Sequence, residues 1–239
     1  MTYATAERSE VVPNRPLKTL ALVSRVLPLP PAAKLVFEPV GPTTLDHLPE
    51  VARNWGERRR NSFAAGRLAA AKALTAVGYR GRTILGITSD GLPAWPPGWM
   101  GSISHAETVA TAVVVPAQST EVSVLGIDLE RIIAPGTAAE IATAIMPEAL
   151  PGASGLTLAE EITRVFSAKE ALYKALFPQT RQVRGFEAAR VGWSRPCSHD
   201  PVTLKLTLTE DWGGEWLTGT SLTAFQVIGA NHVVTVVWC

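Results

Sequence analysis

Thr157-Leu158-Ala159-Glu160-Glu161-Ile162-Thr163-Arg164-Val165-Phe166-Ser167-Ala168-Lys169-Glu170-Ala171-Leu172-Tyr173-Lys174 is the stretch on which the fold turns. It opens as a Thr-x-x-Glu capping box, and Leu158, Ile162, Val165, Phe166, Tyr173 and Leu176 recur at helical spacing as far as Pro178. The pattern predicts a helix about 30 Å long at 1.5 Å per residue. Glu170 and Lys174 lie four apart and share a face, while Lys169 is turned roughly 100° away. A lone Glu/Lys pair of this kind is also the ordinary form of a surface ion pair worth about 0.3 to 0.5 kcal/mol, so it gains meaning only from its company.

That company lies upstream. Residues 122–127 read as a strand ending in Asp128-Leu129-Glu130. Alternation puts Asp128 and Glu130 on one face and Ile127 and Leu129 on the apolar one. Adjacent carboxylates repel, and a divalent cation is the usual means of keeping both ionised; an ordinary solvent-facing strand end has the same pattern. The polar residues 116–121 read as a linker, which divides the chain into 1–118 and 119–239.

Working outward, residues 49–77 form a helical pattern with Phe63, Ala70, Leu74 and Val77 on one face and Gly78 to end it. The proline-rich first forty residues read as a loose arm with one or two strands, at the apolar runs 20–23 and 34–37. A turn-rich stretch, residues 89–98, leads to Gly101-Ser102-Ile103-Ser104-His105, read as a small-residue turn. Residues 109–115 fit a buried strand or the core face of a short helix. Beyond the midpoint, residues 134–155 form an insert that reads as a lid or a surface connection, and 202–208, 222–227 and 233–238 read as an antiparallel meander. Helix and strands in each half make the fold class α+β.

Composition narrows the classes. The 239 residues are 46% hydrophobic and 18% charged, which excludes a disordered chain and a disulfide mini-scaffold. Twenty-two Lys and Arg against 21 Asp and Glu give a net charge of +1, so no nucleic acid is held by bulk electrostatics and an anionic ligand needs a local cluster. Two cysteines, Cys197 and Cys239, form no CxxC and read as free thiols of a reducing compartment. No apolar run reaches the roughly 18 residues of a transmembrane segment and the N-terminus has no targeting pattern, which together predict a cytoplasmic protein.

Two local clusters could meet an anion. Gly101 to His105 can offer backbone N–H groups, hydroxyls and an imidazole to a phosphate, although a Ser-His pair is commonly an incidental loop. Without a Gly-x-Ser-x-Gly elbow it makes a weak serine hydrolase. Arg58-Arg59-Arg60 precedes Arg67 on the predicted helix, where Arg60 and Arg67 face together and Arg59 lies about 80° off; guanidinium groups suit bidentate phosphate contacts, and a solvated basic face has the same composition.

Taken in order, Arg59-x-x-x-Phe63-x-x-Gly66-Arg67, Gly91-x-Pro93-x-Trp95-Pro96, Gly101-Ser-Ile-Ser-His105, Gly126-Ile-Asp-Leu-Glu130 and Phe166-Ser-Ala-Lys-Glu-Ala-Leu-Tyr-Lys174 resemble the 4′-phosphopantetheinyl transferases of the larger, monomeric, Sfp-like class, in its EntD-like, siderophore-synthetase branch. The resemblance covers about half of the chain, residues 58–186. It implies a pseudo-twofold α+β fold of two similar halves, each with an antiparallel sheet packed on a long helix. The basic helix and Ser-His loop fall in 1–118, the metal carboxylates and Lys-Glu helix in 119–239, and the active site in the cleft between. It implies coenzyme A as substrate, Mg2+ as cofactor, and an apo acyl, peptidyl or aryl carrier protein as partner, whose serine receives the phosphopantetheine arm as adenosine 3′,5′-bisphosphate leaves.

Carried over residue by residue, Asp128, Glu130 and Glu170 are the metal carboxylates, Glu170 also the base, and Lys174 a charge stabiliser for the pyrophosphate. Arg59, Arg67, Ser104 and His105 fall around the coenzyme A phosphates, Asp128 beside them, with Gly91 and Pro93 near the adenine. Many members carry a basic residue in that turn or just upstream; this chain has Leu92 and Ile87, so one phosphate contact is absent or comes from Arg60. Arg181, Arg184 and residues 141–146 are candidates for carrier docking. A non-catalytic carrier-binding homologue and a Mg2+-dependent coenzyme A hydrolase are the competing readings. The acceptor pathway, whether fatty acid, polyketide, nonribosomal peptide or siderophore, is left open.

Overall fold

The computed structural model describes residues 15–43, 48–81, 84–117, 122–147, 156–193 and 201–239. The predicted long helix is α5, Leu158–Thr180. Its capping box is formed: Thr157 Oγ1 accepts the Glu160 N–H at 3.3 Å while Glu160 Oε2 accepts the Thr157 N–H at 3.0 Å. The helix runs two residues past Pro178 before Arg181 closes it in the left-handed region, φ 55°.

Helix α5 lies on a five-stranded antiparallel sheet, whose order β6-β10-β9-β8-β7 is built from β6 (Leu125–Arg131), β7 (Ala189–Trp193), β8 (Val202–Leu208), β9 (Ser221–Gly229) and β10 (His232–Trp238). The three-strand meander is therefore present, and β7, absent from the sequence reading, completes its edge. The approach of α5 to β6 is close enough that a Cβ on Gly126 would fall 2.0 Å from the Ala171 carbonyl oxygen. Asp128 and Glu130 sit inside β6, with Arg131 still to follow.

A three-stranded antiparallel sheet of order β1-β5-β4 comprises β1 (Lys34–Pro39), β4 (Trp99–Ala106) and β5 (Val109–Pro116), and packs on α3 (Glu57–Ala76). Residues 109–115 thus resolve as a strand. Two-residue strands β2 (Gly86–Ile87) and β3 (Pro93–Ala94) pair beside it. The fold is α+β, with antiparallel sheets set against long helices.

Three local expectations are corrected and the insert gains an element. Residues 20–23 belong to a helix, α1 (Arg15–Val23), because Leu17 and Leu20 lie one turn apart and both meet the core. The helical stretch 49–77 is two helices, α2 (Glu50–Arg53) and α3, separated where Gly56 is extended at φ −58°, ψ 150°. Gly101 to His105 is no turn: it lies within β4, paired residue by residue with β5 from Gly101↔Val114 to His105↔Ala110. The insert contains its own helix, α4 (Pro135–Ile145), packed on α5. Residues 118–121 of the linker, 148–155 of the insert and Cys197 lie outside the described residues.

Three apolar clusters make the core. One joins α4 and α5 to the five-stranded sheet, another joins α3 to the smaller sheet, and the middle one draws Leu20 and Leu27, Val113 and Val115, Ile127 and Leu129, and Val234 and Val236 from both sides. None of the described helices is long and apolar enough to cross a membrane.

Candidate active site

Alternation on β6 delivers Ile127 and Leu129 to the middle core and turns Asp128 toward α5, where it is 1% exposed. Lys174, one turn past Glu170, reaches it: Nζ donates to Asp128 Oδ1 at 2.6 Å and to Ser104 Oγ at 2.9 Å. Ser104 Oγ in turn donates to the same Asp128 oxygen at 2.9 Å. Asp128 Oδ2 is buried with no hydrogen-bond partner among the described residues.

Glu130 and Glu170 complete an electrostatic group. Burial, then the charge of Asp128, push the Glu130 carboxyl up to about 8, with Glu170 adding to the rise and Lys174 opposing it. Burial also raises Glu170, against the pull of Lys174. The four predicted residues Asp128, Glu130, Glu170 and Lys174 are therefore brought within electrostatic reach of one another. Among the described residues no three His, Cys, Asp or Glu side chains form a metal cage on their own. A magnesium ion, however, is commonly held by one or two carboxylates completed by substrate phosphates and water. An orphaned, buried Asp oxygen near a carboxyl whose pKa burial raises fits a divalent cation, which would stabilise both ionised forms.

Glu130 of this group lines one of two adjoining concavities, while Glu170 and Lys174 line other, smaller pockets. A cleft of about 1560 Å3 is lined by Arg58, Arg59, His105 and Glu130, among others, and reaches the start of α4. A second, of about 660 Å3, is lined by Arg59, Arg67, His105, Gly91 and Pro93. Arg59, His105 and Ser62 line both, so the two are contiguous. The arginines are pre-set by aromatic rings: the Arg59 guanidinium lies 4.1 Å from the centre of Trp55, that of Arg67 4.4 Å from Phe63, and the two rings meet edge to face at 5.3 Å. Burial lowers the Arg67 pKa to about 10, which leaves it charged at neutral pH, and among the described residues its buried Nε has no hydrogen-bond partner. A desolvated cation of this kind is suited to an anion.

Here the arrangement differs from the helical-wheel expectation. Arg59 shares a cavity with Arg67, whereas Arg60 donates from Nη1 to the Trp55 carbonyl at 2.5 Å. The rings decide the pairing, and Trp55, outside α3, was not readable from helix periodicity. The docking candidates are engaged within the chain: Arg181 pairs with Asp90 at 2.5 Å, and Arg184 with Glu210 at 3.4 Å and the Asp211 carbonyl at 2.6 Å. Of residues 141–146, Ile141, Ile145 and Met146 pack into the core. Lys169, as its angle foretold, leaves the Glu170 face; it is 4% exposed and donates to the carbonyls of Ile145 and Phe186, each at 2.8 Å, which fastens the end of α4 to α5. The exposed pair Arg131–Glu107, at 2.9 Å, joins β6 to the β4–β5 turn at the rim of the cleft.

The comparisons with known proteins give the family. The family model of the 4′-phosphopantetheinyl transferase N-terminal domain matches residues 48–115, and that of the 4′-phosphopantetheinyl transferase superfamily matches residues 124–237. Enterobactin synthase component D of Salmonella typhimurium is 39% identical over 142 residues, 58% of this chain and 57% of that protein. The 4′-phosphopantetheinyl transferase PptT of Mycobacterium tuberculosis is 36% identical over 166 residues, 66% of this chain and 69% of that protein. The transferase Npt of Nocardia iowensis is 31% identical over 146 residues, 56% and 60% of the two. With residues 48–115 and 124–237 both matched, the chain belongs to the 4′-phosphopantetheinyl transferase superfamily, with likeness to its enterobactin-synthase branch. The chain spans a little over half the length of the enterobactin synthase components it matches.

Proposed function

We propose that the protein transfers the 4′-phosphopantetheine arm of coenzyme A to a serine of an apo acyl, peptidyl or aryl carrier protein. The observation that carries this reading is the pairing of buried Asp128 with partly buried Lys174, with its orphaned Asp128 oxygen and Glu130 and Glu170 near by, next to a cleft of ring-stacked arginines. Asp128, Glu130 and Glu170 would hold Mg2+, which when bound neutralises charge across a pyrophosphate.

In the proposed reaction the serine oxygen forms a bond to the pantetheine-side phosphorus, the bond from that phosphorus to the bridging oxygen breaks, and adenosine 3′,5′-bisphosphate departs with the electron pair. Glu170, its carboxylate made more basic by burial, takes the serine proton directly or through water. Lys174 stabilises charge on the pyrophosphate from its seat on Asp128. Arg59, Arg67 and His105 hold the ligand's phosphates, and the turn at Gly91 and Pro93 receives the adenine. The reading carries with it a cytoplasmic enzyme acting as a monomer. Carrier domains of siderophore synthases are the first acceptors to try, given the name of the enterobactin relatives.

The test is intact-mass spectrometry of an apo carrier incubated with protein, coenzyme A and Mg2+, alongside no-metal and Glu170→Gln reactions. A phosphopantetheine-sized gain confined to the complete mixture is expected, with Glu170→Gln folded but slowed by about 100-fold or more. No gain on carriers of several classes with coenzyme A intact would point to a non-catalytic carrier-binding homologue. Cleavage of coenzyme A without a carrier would point to a hydrolase.

A further inference from the structure

Asp128 does not stand alone on its face of the five-stranded sheet. The strand register pairs it with Thr235 of β10, and Thr235 in turn with Gln226 of β9, so the three side chains form one polar row across neighbouring strands. Asp128 is 1% exposed, and Thr235 and Gln226 are fully buried. Around the row the layer is apolar: Val202, Ala224 and Val237 belong to the core shared with α5.

Helix α5 crosses this row and meets each member of it in turn. Gln226 Nε2 donates to the Arg164 carbonyl at 2.7 Å and to Thr235 Oγ1 at 2.9 Å, Thr235 Oγ1 and Ser167 Oγ share a hydrogen bond of 2.7 Å, and Lys174 Nζ reaches Asp128 Oδ1. Residues 164, 167 and 174 share one helix face, and their order along α5 is the order of the strands β9, β10 and β6. Glu170 lies between the second and third of these points. The transfer reaction proposed above uses none of Ser167, Thr235 and Gln226.

A buried hydrogen-bond chain is more costly to desolvate than the apolar side chains that could fill the same space, and what it contributes in return is position. Apolar contacts between helix and sheet tolerate small slides; hydrogen bonds this short do not, and a rotation of α5 by one residue, about 100°, would break every one of them. Strand β6, the end of the row, is also held on its other edge. Strands β4 and β6 belong to separate sheets and are joined by side chains, with the Ile127 N–H donating to Ser102 Oγ at 3.0 Å and the Leu129 N–H to Ser104 Oγ at 3.2 Å. Through this serine seam, a helix indexed on the row is indexed on the first part of the chain as well.

We propose that Ser167, Thr235 and Gln226 are positioning residues, a buried hydrogen-bond chain that fixes the rotation and slide of α5 on the sheet and so sets where Glu170 and Lys174 stand. This rests on the transferase reading above and adds to it three residues remote from the reacting atoms.

The chain is removed in two ways. Thr235→Val deletes one hydroxyl, keeps the shape and strands its neighbours, while the triple variant Ser167→Ala, Thr235→Val, Gln226→Met replaces the whole chain by apolar groups. Stranded partners are costly and matched apolar replacements are not, so the urea midpoint should fall in Thr235→Val and return to the wild-type value or above it in the triple variant. Activity should not return with it: kcat stays about tenfold or more below wild type in the triple variant with KM for coenzyme A within about twofold, and Thr235→Ser, which keeps a hydroxyl, retains most of kcat. A second readout needs no turnover. Acetylation of Lys174 by a soluble amine-reactive ester, followed by peptide mass spectrometry against exposed Lys205, should quicken about threefold or more in the triple variant as the seat on Asp128 loosens. Should the triple variant not fold, Thr235→Val and Thr235→Ser are compared by the same two readouts. A kcat within about twofold of wild type in a folded variant lacking the chain overturns the proposal, as does a raised KM with kcat intact or unchanged labelling of Lys174. A wild-type protein that transfers nothing overturns the transferase reading; quickened labelling of Lys174 then still supports the placement of α5 by the chain, and unchanged labelling overturns that too.

Discussion

At the level of single residues, His105 offers the sharpest proton test. Burial, and next the charge of Lys174, hold its pKa below the usual 6.5, so the free protein carries a neutral imidazole at pH 7. A phosphate beside the ring favours the charged form and lifts that pKa, so binding must take up a proton between the free and the liganded values, and affinity rises as pH falls through that window. Calorimetry of adenosine 3′,5′-bisphosphate near pH 6.5, in buffers of different ionisation enthalpy, should show uptake in wild type beyond that of His105→Ala; equal uptake would remove His105 from the phosphate site. That Asp128, Glu130, Glu170 and Lys174 come together was legible in the sequence, because Asp128 and Glu130 share a face by a period of two and Glu170 and Lys174 by a spacing of four. What a hydroxyl does was not. Ser104 finds its partners 24, 25 and 70 residues away, and no local pattern tells a serine that meets a phosphate from one that meets an amide and a carboxylate.

At the level of elements, the contact between β6 and α5 sets the distance across which Lys174 finds Asp128. Gly126 makes it possible: an added methyl would lie 2.0 Å from the Ala171 oxygen and 2.6 Å from the Ala175 nitrogen, both backbone atoms of α5 that no rotamer change can move. Gly126→Ala should therefore destabilise by about 3 kcal/mol, read as a lowered urea midpoint with an unchanged slope, and should depress transfer in whatever fraction stays folded. A stability within about 0.5 kcal/mol of wild type would show that the helix can back away at little cost. The capping box and the long apolar stripe made α5 legible from its first residue. By contrast, α1 was hidden by the prolines around it and β4 by its glycine and serines, which favour turns locally and become a strand only because β5 supplies the ladder. Strand β7, five residues of which only Ala189 and Val191 are buried, is too short for alternation to declare itself.

For the whole molecule, the middle core decides how the chain behaves. Helix α1 packs on β1 of one sheet and β9 of the other, and Leu20 at its centre is fully buried among residues from both. Leu20→Ala should cost about 2 to 5 kcal/mol and yet leave one transition. Tryptophan fluorescence, reporting Trp55, Trp95 and Trp99 on one side and Trp193, Trp212, Trp216 and Trp238 on the other, should melt together with the far-ultraviolet circular dichroism; two separated transitions would mean that the sheets are independent. This shared core was not visible in the sequence, where a polar linker between two helix-and-strand patterns reads as a simple boundary. The serine seam adds a consequence for recombination. A backbone ladder forms between strands of almost any sequence, but a junction of hydroxyls closes only where one strand brings them to alternate positions in the right frame. Chimeras that graft the first part of a relative onto the second part of this chain should assemble only if the donor strand carries hydroxyls matching Ser102 and Ser104. Productive crossovers within the family would then be limited by two side chains, whatever the length of the loop that joins the parts.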